Sequence, residues 1–255
     1  MDIARAARLP LMLMTPTRRV NVESLARSAY AKRNVIADCC AFLRDVRASR
    51  PADVAPILVG GLLGCRGNAY RGDEGLSRAD AVAFHQHQVR QFMHQSMDFL
   101  FAGIMPTVAE AIGMAEAMSR SGIPYVISFM IRNSGRLLDG TPLAEAIEMI
   151  DHAVCPQPVC YMANCIHPVN LKQALLQDVN VHSPYLSRFR GIQANASSRS
   201  PEELDQNGEL QQEDAAELVQ HMRTLHTELG LNILGGCCGT DDGFLAMVAQ
   251  FGVAE

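Results

Sequence analysis

The chain has no apolar run of membrane-spanning length, which excludes a transmembrane helix. Leu9 to Met14 is too short for a signal-peptide core and lacks a cleavage pattern, so the expected compartment is the cytoplasm. No internal repeat, low-complexity tract or interdomain linker interrupts the sequence, and residues 1–255 are expected to form one domain. A concentrated basic patch is missing too. Arg18-Arg19 and Lys32-Arg33 are short and dispersed, and the net charge is −5. Nucleic acid and an anionic membrane are therefore not expected partners. What remains is a chain that is 48% hydrophobic and long enough to bury one sizeable core.

Strand-like and helix-like stretches alternate along it. Apolar strands are expected at Leu9–Met14, Ile57–Gly61, Asp98–Gly103, Tyr125–Met130, Val159–Cys165, Phe189–Asn195 and Asn232–Leu234. Such alternation implies a parallel sheet. Met1 to Arg8 reads as a helical fragment, and Val22 to Val46 as mostly helical. Ser77 with Asp80 is a cap for a helix whose Val82, Val89, Phe92 and Met93 form the buried stripe. His85, His87 and His94 then fall mainly on the surface. Thr107 with Glu110 reads as a capping box, Ser200 to Glu203 as a short helical opening, and Thr240 as the cap of the last helix. In the helix Glu213 to Leu229, His221 and His226 read as polar decoration. Between Leu62 and Leu76 lies a long Gly-rich loop with Cys65, Tyr70, Arg71, Asp73 and Glu74, of a length that is often functional.

In a reducing compartment eight cysteines favour metal binding over disulfides. Cys237 and Cys238 sit in Leu234-Gly235-Gly236-Cys237-Cys238-Gly239-Thr240, where a strand gives way to a helix and two glycines admit close backbone approach. Cys165 ends another strand, in Asn164-Cys165-Ile166-His167-Pro168. Three thiolates from two strand ends make a plausible zinc site with one open position. On pattern alone the alternatives stay open: small core residues, or a vicinal Cys237–Cys238 disulfide with a redox role. The pair Cys39-Cys40 lies inside a helix and reads as packing.

The double-cysteine motif, with Asn-Cys-x-His-Pro upstream, resembles the zinc-dependent homocysteine S-methyltransferase family. Gly67 to Asp73, Pro106 to Ala111 and Asp139 to Leu143 match further loops of it in order. Ala194 to Ser197 and Glu202 to Asp205 are similar to a poorly characterised branch. The resemblance implies a (β/α)8 TIM-type barrel, incomplete here at the N-terminal side. The family's first strand, with its Asp-Gly-Gly motif, has no counterpart, and seven strands leave a gap. That gap invites a filling segment or a homo-oligomer. By resemblance, zinc is held by Cys165, Cys237 and Cys238. A small-molecule thiol is the acceptor, homocysteine giving methionine in the family, and a methylated sulfonium or ammonium compound is the donor. Asn164, Thr15, Tyr70, Asp73 and Asn195 are candidates to line the substrate site. Gly103 stands where the family has a glutamate for the acceptor's amino group. A degenerate, non-catalytic zinc barrel is the alternative expectation.

Overall fold

The computed structural model describes residues 1–49, 55–199 and 213–252. Seven strands form one sheet in chain order: β1 (Leu11–Met14), β2 (Ile57–Gly64), β3 (Phe99–Met105), β4 (Tyr125–Phe129), β5 (Cys160–Ile166), β6 (Phe189–Ala194) and β7 (Ile233–Gly236). Every pair is parallel. The helices are α1 (Asp2–Ala6), α2 (Val22–Ala26), α3 (Val35–Ala48), α4 (Arg78–Met93), α5 (Val108–Ser119), α6 (Leu143–Ala153), α7 (Pro168–Leu175), α8 (Asp178–Val181), α9 (Ala215–Leu229) and α10 (Asp242–Ala249). The helical opening expected at Ser200 to Glu203 and the similarity at Glu202 to Asp205 lie outside the described residues.

Strand residues alternate between two cores, as a period of two requires. Phe99, Phe101, Val126, Cys160 and Met162 form an inner cluster. Leu100, Ala102, Tyr125, Ile127, Tyr161 and Ala163 belong to the larger core shared with the helices. Met12 and Met14 of β1 and Ile233 of β7 pack on the same inner cluster, so the sheet curls into an open TIM-type barrel. β3, β4 and β5 are buried at every position, whereas β1 and β7 are half-buried throughout. β1 and β7 are the edges of the sheet. No eighth strand comes from Met1 to Arg8: that segment is the helix α1, and it packs against α10.

Several local expectations change. Val22 to Val46 is two helices, because Asn21 and Asn34 each cap a separate start. On α4 the buried stripe is Ala81, His85, Gln88, Val89 and Phe92, while Met93 is exposed. His85 is therefore a core residue, and it has a buried carboxylate partner in Glu110. Glu110 consequently does not close a capping box with Thr107, whose hydroxyl makes no helix-capping bond. Asp139 serves this terminus instead, its Oδ2 accepting from Val108 N at 2.7 Å. Asp241, not Thr240, caps α10 by accepting from Phe244 N at 2.8 Å. His226 is more than decoration, since its Nδ1 lies 2.8 Å from Leu231 O beyond the end of α9.

The transferred cap has a measurable consequence. Asp139→Ala is expected to lower unfolding stability by about 1–2 kcal/mol, and Thr107→Ala by no more than about 0.5 kcal/mol. Urea denaturation of the two variants checks this. A larger loss for Thr107→Ala would return the cap to Thr107.

Candidate metal centre

Cys165 lies near the C-terminal end of β5, and Cys237 and Cys238 follow β7. Strict alternation would turn Cys165 toward the helices, since Cys160 and Met162 face inward. At Cys165 the backbone enters the left-handed region, φ 55°, and the β5–β6 register shifts between Asn164 and Ile166. A non-glycine residue there carries strain, which is held when neighbours over-determine it. Asn164 supplies that support: its Oδ1 accepts from Ile104 N at 2.9 Å, and its Nδ2 donates to Gln193 Oε1. Ile104 is itself left-handed, with φ 58°. Asn164 thus ties together the ends of β3, β5 and β6.

The Cys237–Cys238 turn is anchored to β6. Cys237 N donates to Ala194 O at 2.7 Å, and Ala196 N donates to Cys238 O at 2.9 Å. Thr240 Oγ1 donates to Cys237 O at 2.9 Å. A Cβ on Gly236 would fall 2.1 Å from Thr240 Oγ1, so this turn requires glycine there. Gly235 has no such close contact.

These two anchors bring the three sulfurs within 4.8 Å of one another. Cys165 Sγ is 3.4 Å from Cys238 Sγ, and Cys237 Sγ is 3.9 Å from Cys238 Sγ. Three thiolates on a tetrahedral zinc, each at about 2.3 Å, stand about 3.8 Å apart. The donor set and its spacing therefore fit a thiolate-preferring metal. Cys237 Sγ and Cys238 Sγ stand 3.9 Å apart, a spacing that matches thiols sharing a metal rather than a bonded vicinal disulfide. Cys165 is buried and Cys238 exposed, so the cluster opens on the Cys238 side.

Cys165 also receives the Tyr70 hydroxyl at 3.2 Å and Asn195 Nδ2 at 3.6 Å. The hydrogen bonds from Cys237 and Cys238 outweigh burial and hold the Cys165 thiol far below its ordinary pKa, with Tyr70 adding to the effect. Cys237 moves upward because its proton is shared with Cys165. Burial, then the adjacent Cys165, raises Tyr70, which stays a donor.

The other candidates have partners of their own. Thr15 is fully buried and bonded to Thr17 Oγ1 at 2.7 Å and Leu62 N at 3.0 Å, so its hydroxyl secures the end of β1. Asp73 is exposed and pairs with Arg71 at 2.7 Å. Gly103 ends its β2 pairing opposite Gly64, and a Cβ there would meet Leu62 Cδ1 at 3.0 Å. His167 caps α7, and its Nε2 lies 2.9 Å from Glu213 Oε2, off the line of a good hydrogen bond. A cleft of about 180 Å3 opens beside Cys165, with Met130, Arg132, Asn133, His167, Asn170 and Arg199 among its walls. The His85–Glu110 pair escaped the sequence reading. The spacing of Ala81, His85, Gln88 and Phe92 on one helical face was the available signal.

Fold and site together define a parallel-barrel protein with a three-thiol cluster at its C-terminal strand ends. The chain belongs to the homocysteine S-methyltransferase family, whose model matches residues 10–251. It is 27% identical over 206 residues to the homocysteine S-methyltransferase of Escherichia coli, covering 77% of this chain and 63% of that protein. It is 25% identical over 204 residues to the homocysteine S-methyltransferase YbgG of Bacillus subtilis, covering 78% and 61%. The chain thus spans under two thirds of the length of these relatives. The metallated form of the E. coli homocysteine methyltransferase MmuM shares the fold with a TM-score of 0.75 at 20% identity, covering 98% of this chain and 82% of that one. The oxidized form of MmuM gives the same TM-score, 0.75, at 22% identity.

Proposed function

We propose that this chain transfers a methyl group to a thiol acceptor at a zinc ion held by Cys165, Cys237 and Cys238. The convergence of these three sulfurs from two strand ends carries the reading. Bound there, zinc would supply the Lewis acidity that keeps an acceptor thiol deprotonated, and hence nucleophilic, near neutral pH. Three cysteine thiolates would leave such a site anionic and the acceptor sulfur electron-rich. That sulfur attacks the methyl carbon in line. The new S–C bond forms as the bond from carbon to the donor's cationic heteroatom breaks, and the donor leaves neutral with the bonding pair. Tyr70 and Asn195 hold Cys165 in place by donating to its sulfur. Asn164 keeps the strand ends, and so the left-handed turn at Cys165, in register. The names of the relatives favour homocysteine as acceptor and methionine as product, whereas Gly103 favours a different thiol.

Metal analysis after purification without chelator tests the site. About one zinc per chain is expected in the wild type, and Cys165→Ser and Cys237→Ser are expected to lose it. Full retention in both variants would refute the assignment. A second reading, a zinc barrel without transferase activity, draws on the missing carboxylate at Gly103. Bound zinc with no transfer to any of a panel of thiols would favour it.

A further inference from the structure

Tyr70 reaches Cys165 from the long loop between β2 and α4, and both ends of that loop are tied to one carboxylate. Glu110 of α5 is fully buried. Its Oε1 accepts from Arg66 N at 2.8 Å, and its Oε2 from Leu76 N at 3.2 Å. Oε1 also lies 3.0 Å from His85 Nε2, on an equally buried side chain. A carboxylate can only accept, so His85 Nε2 carries a proton. Burial pushes the Glu110 pKa up, but the donors from His85, Arg66 and Leu76 outweigh it and hold it below the ordinary range.

Inside the loop a chain of bonds runs from base to tip. Asn68 N donates to Glu74 Oε2 at 2.8 Å, and Tyr70 N donates to Asn68 Oδ1 at 3.0 Å. Gly72 sits against Leu138 O, where a Cβ would stand at 2.7 Å. Glu74, Asn68 and Tyr70 are thus braced against one another within the loop whose two ends Glu110 holds.

We infer that the Glu110–His85 pair is a positioning device: by fixing both ends of the loop it holds the Tyr70 hydroxyl on the Cys165 sulfur. It thereby sets how strongly that sulfur donates to a metal, a point that rests on the metal reading above. Glu110 and His85 touch neither sulfur nor substrate; they act through Tyr70. Partners one step removed from a metal's ligands orient them and tune their basicity in this way.

The test is a double-mutant cycle on the cobalt(II)-loaded chain, read from its thiolate-to-cobalt charge-transfer absorption. A hydrogen bond to a thiolate lowers the energy of its lone pairs, so losing the bond moves the band to longer wavelength. Tyr70→Phe is expected to produce that shift. Glu110→Gln turns an amide N–H toward a backbone donor, frees one end of the loop and is expected to shift the band the same way. The double variant is expected to shift no further than Tyr70→Phe alone, which is the coupling that acting through Tyr70 requires. A purely structural Glu110 would lower stability and leave the band in place; an unmoved band, or two shifts that add, overturns the inference. Circular dichroism verifies folding, and should Glu110→Gln not fold, His85→Gln takes its place in the cycle with the same outcomes. A wild-type chain with no thiolate–cobalt band overturns the metal reading and this inference together. A wild-type band without coupling overturns this inference alone.

Discussion

Homocysteine is expected to be a poor acceptor, no better than a thiol that lacks a free α-amino group. By family resemblance, Gly103 stands where a glutamate reads the acceptor's ammonium. Among the described residues only two carboxylates are buried, and both are committed elsewhere. Glu110 holds His85 and the loop, and Asp151 accepts from the Tyr161 hydroxyl at 2.8 Å beside Arg188. Asp73, which could swing in as a substitute, is paired with Arg71. The cleft beside Cys165 has Arg132 and Arg199 in its lining and no acidic residue among the described ones. Losing a charged partner at a buried site typically costs about 2–5 kcal/mol, or roughly one and a half to three and a half powers of ten in binding. Steady-state methyl transfer by zinc-loaded protein measures it, comparing homocysteine with amino-blocked and amino-free thiols against several donors. A preference for homocysteine of about a hundredfold or more would mean that another group reads the ammonium.

Glu110→Ala is expected to cost about 3–5 kcal/mol of unfolding stability, because each buried donor left unsatisfied costs about 1–3 kcal/mol. It orphans Arg66 N, Leu76 N and His85 Nε2 at one stroke. Urea unfolding near neutral pH measures the loss; a cost under about 1 kcal/mol would mean that water replaces the carboxylate. The pH dependence has a definite sign. The folded pKa of Glu110 lies below its ordinary value. Its contribution is therefore fully present above the unfolded value, near 4.3, and is lost as pH falls through the folded one. The stability gap between wild type and variant should stay constant from about pH 6 to 8 and narrow in acid below about pH 4.

The barrel strands were legible in the sequence because parallel strands covered on both faces read as short apolar runs, and these do. Phe99 to Met105 is buried at every position, two residues beyond the Gly103 at which the apolar pattern ends the strand. The left-handed turn at Ile104 is invisible in a β-branched residue type, since Ile gives no sign of positive φ. The three cysteines were legible because two strand ends carried them. What made Cys165 face its partners, the register shift and the Asn164 tie, depends on contacts between strands far apart in sequence. The capping box at Thr107 and Glu110 failed for a related reason. Its local spacing was right, but a histidine one helix away and two loop amides offered Glu110 more than its own helix end did. His85 reads as a surface residue because its spacing from His87 and His94 fits no paired metal site, and nothing near it in sequence marks its partner Glu110 on α5.

The open edges bear on how the chain assembles. In a closed barrel, pairing the first strand with the last is the contact of greatest sequence separation, and its loop entropy is met before any reward. Every strand pair in this sheet joins neighbours in sequence. Among the described strands the sheet can therefore grow strand by strand, each addition completing one β–α–β crossover. The ends of the chain meet through α1 against α10, a contact between two short helices. Cys165 and the Cys237–Cys238 turn belong to the last three strands of the sheet, so the thiol cluster exists only once β5, β6 and β7 have joined.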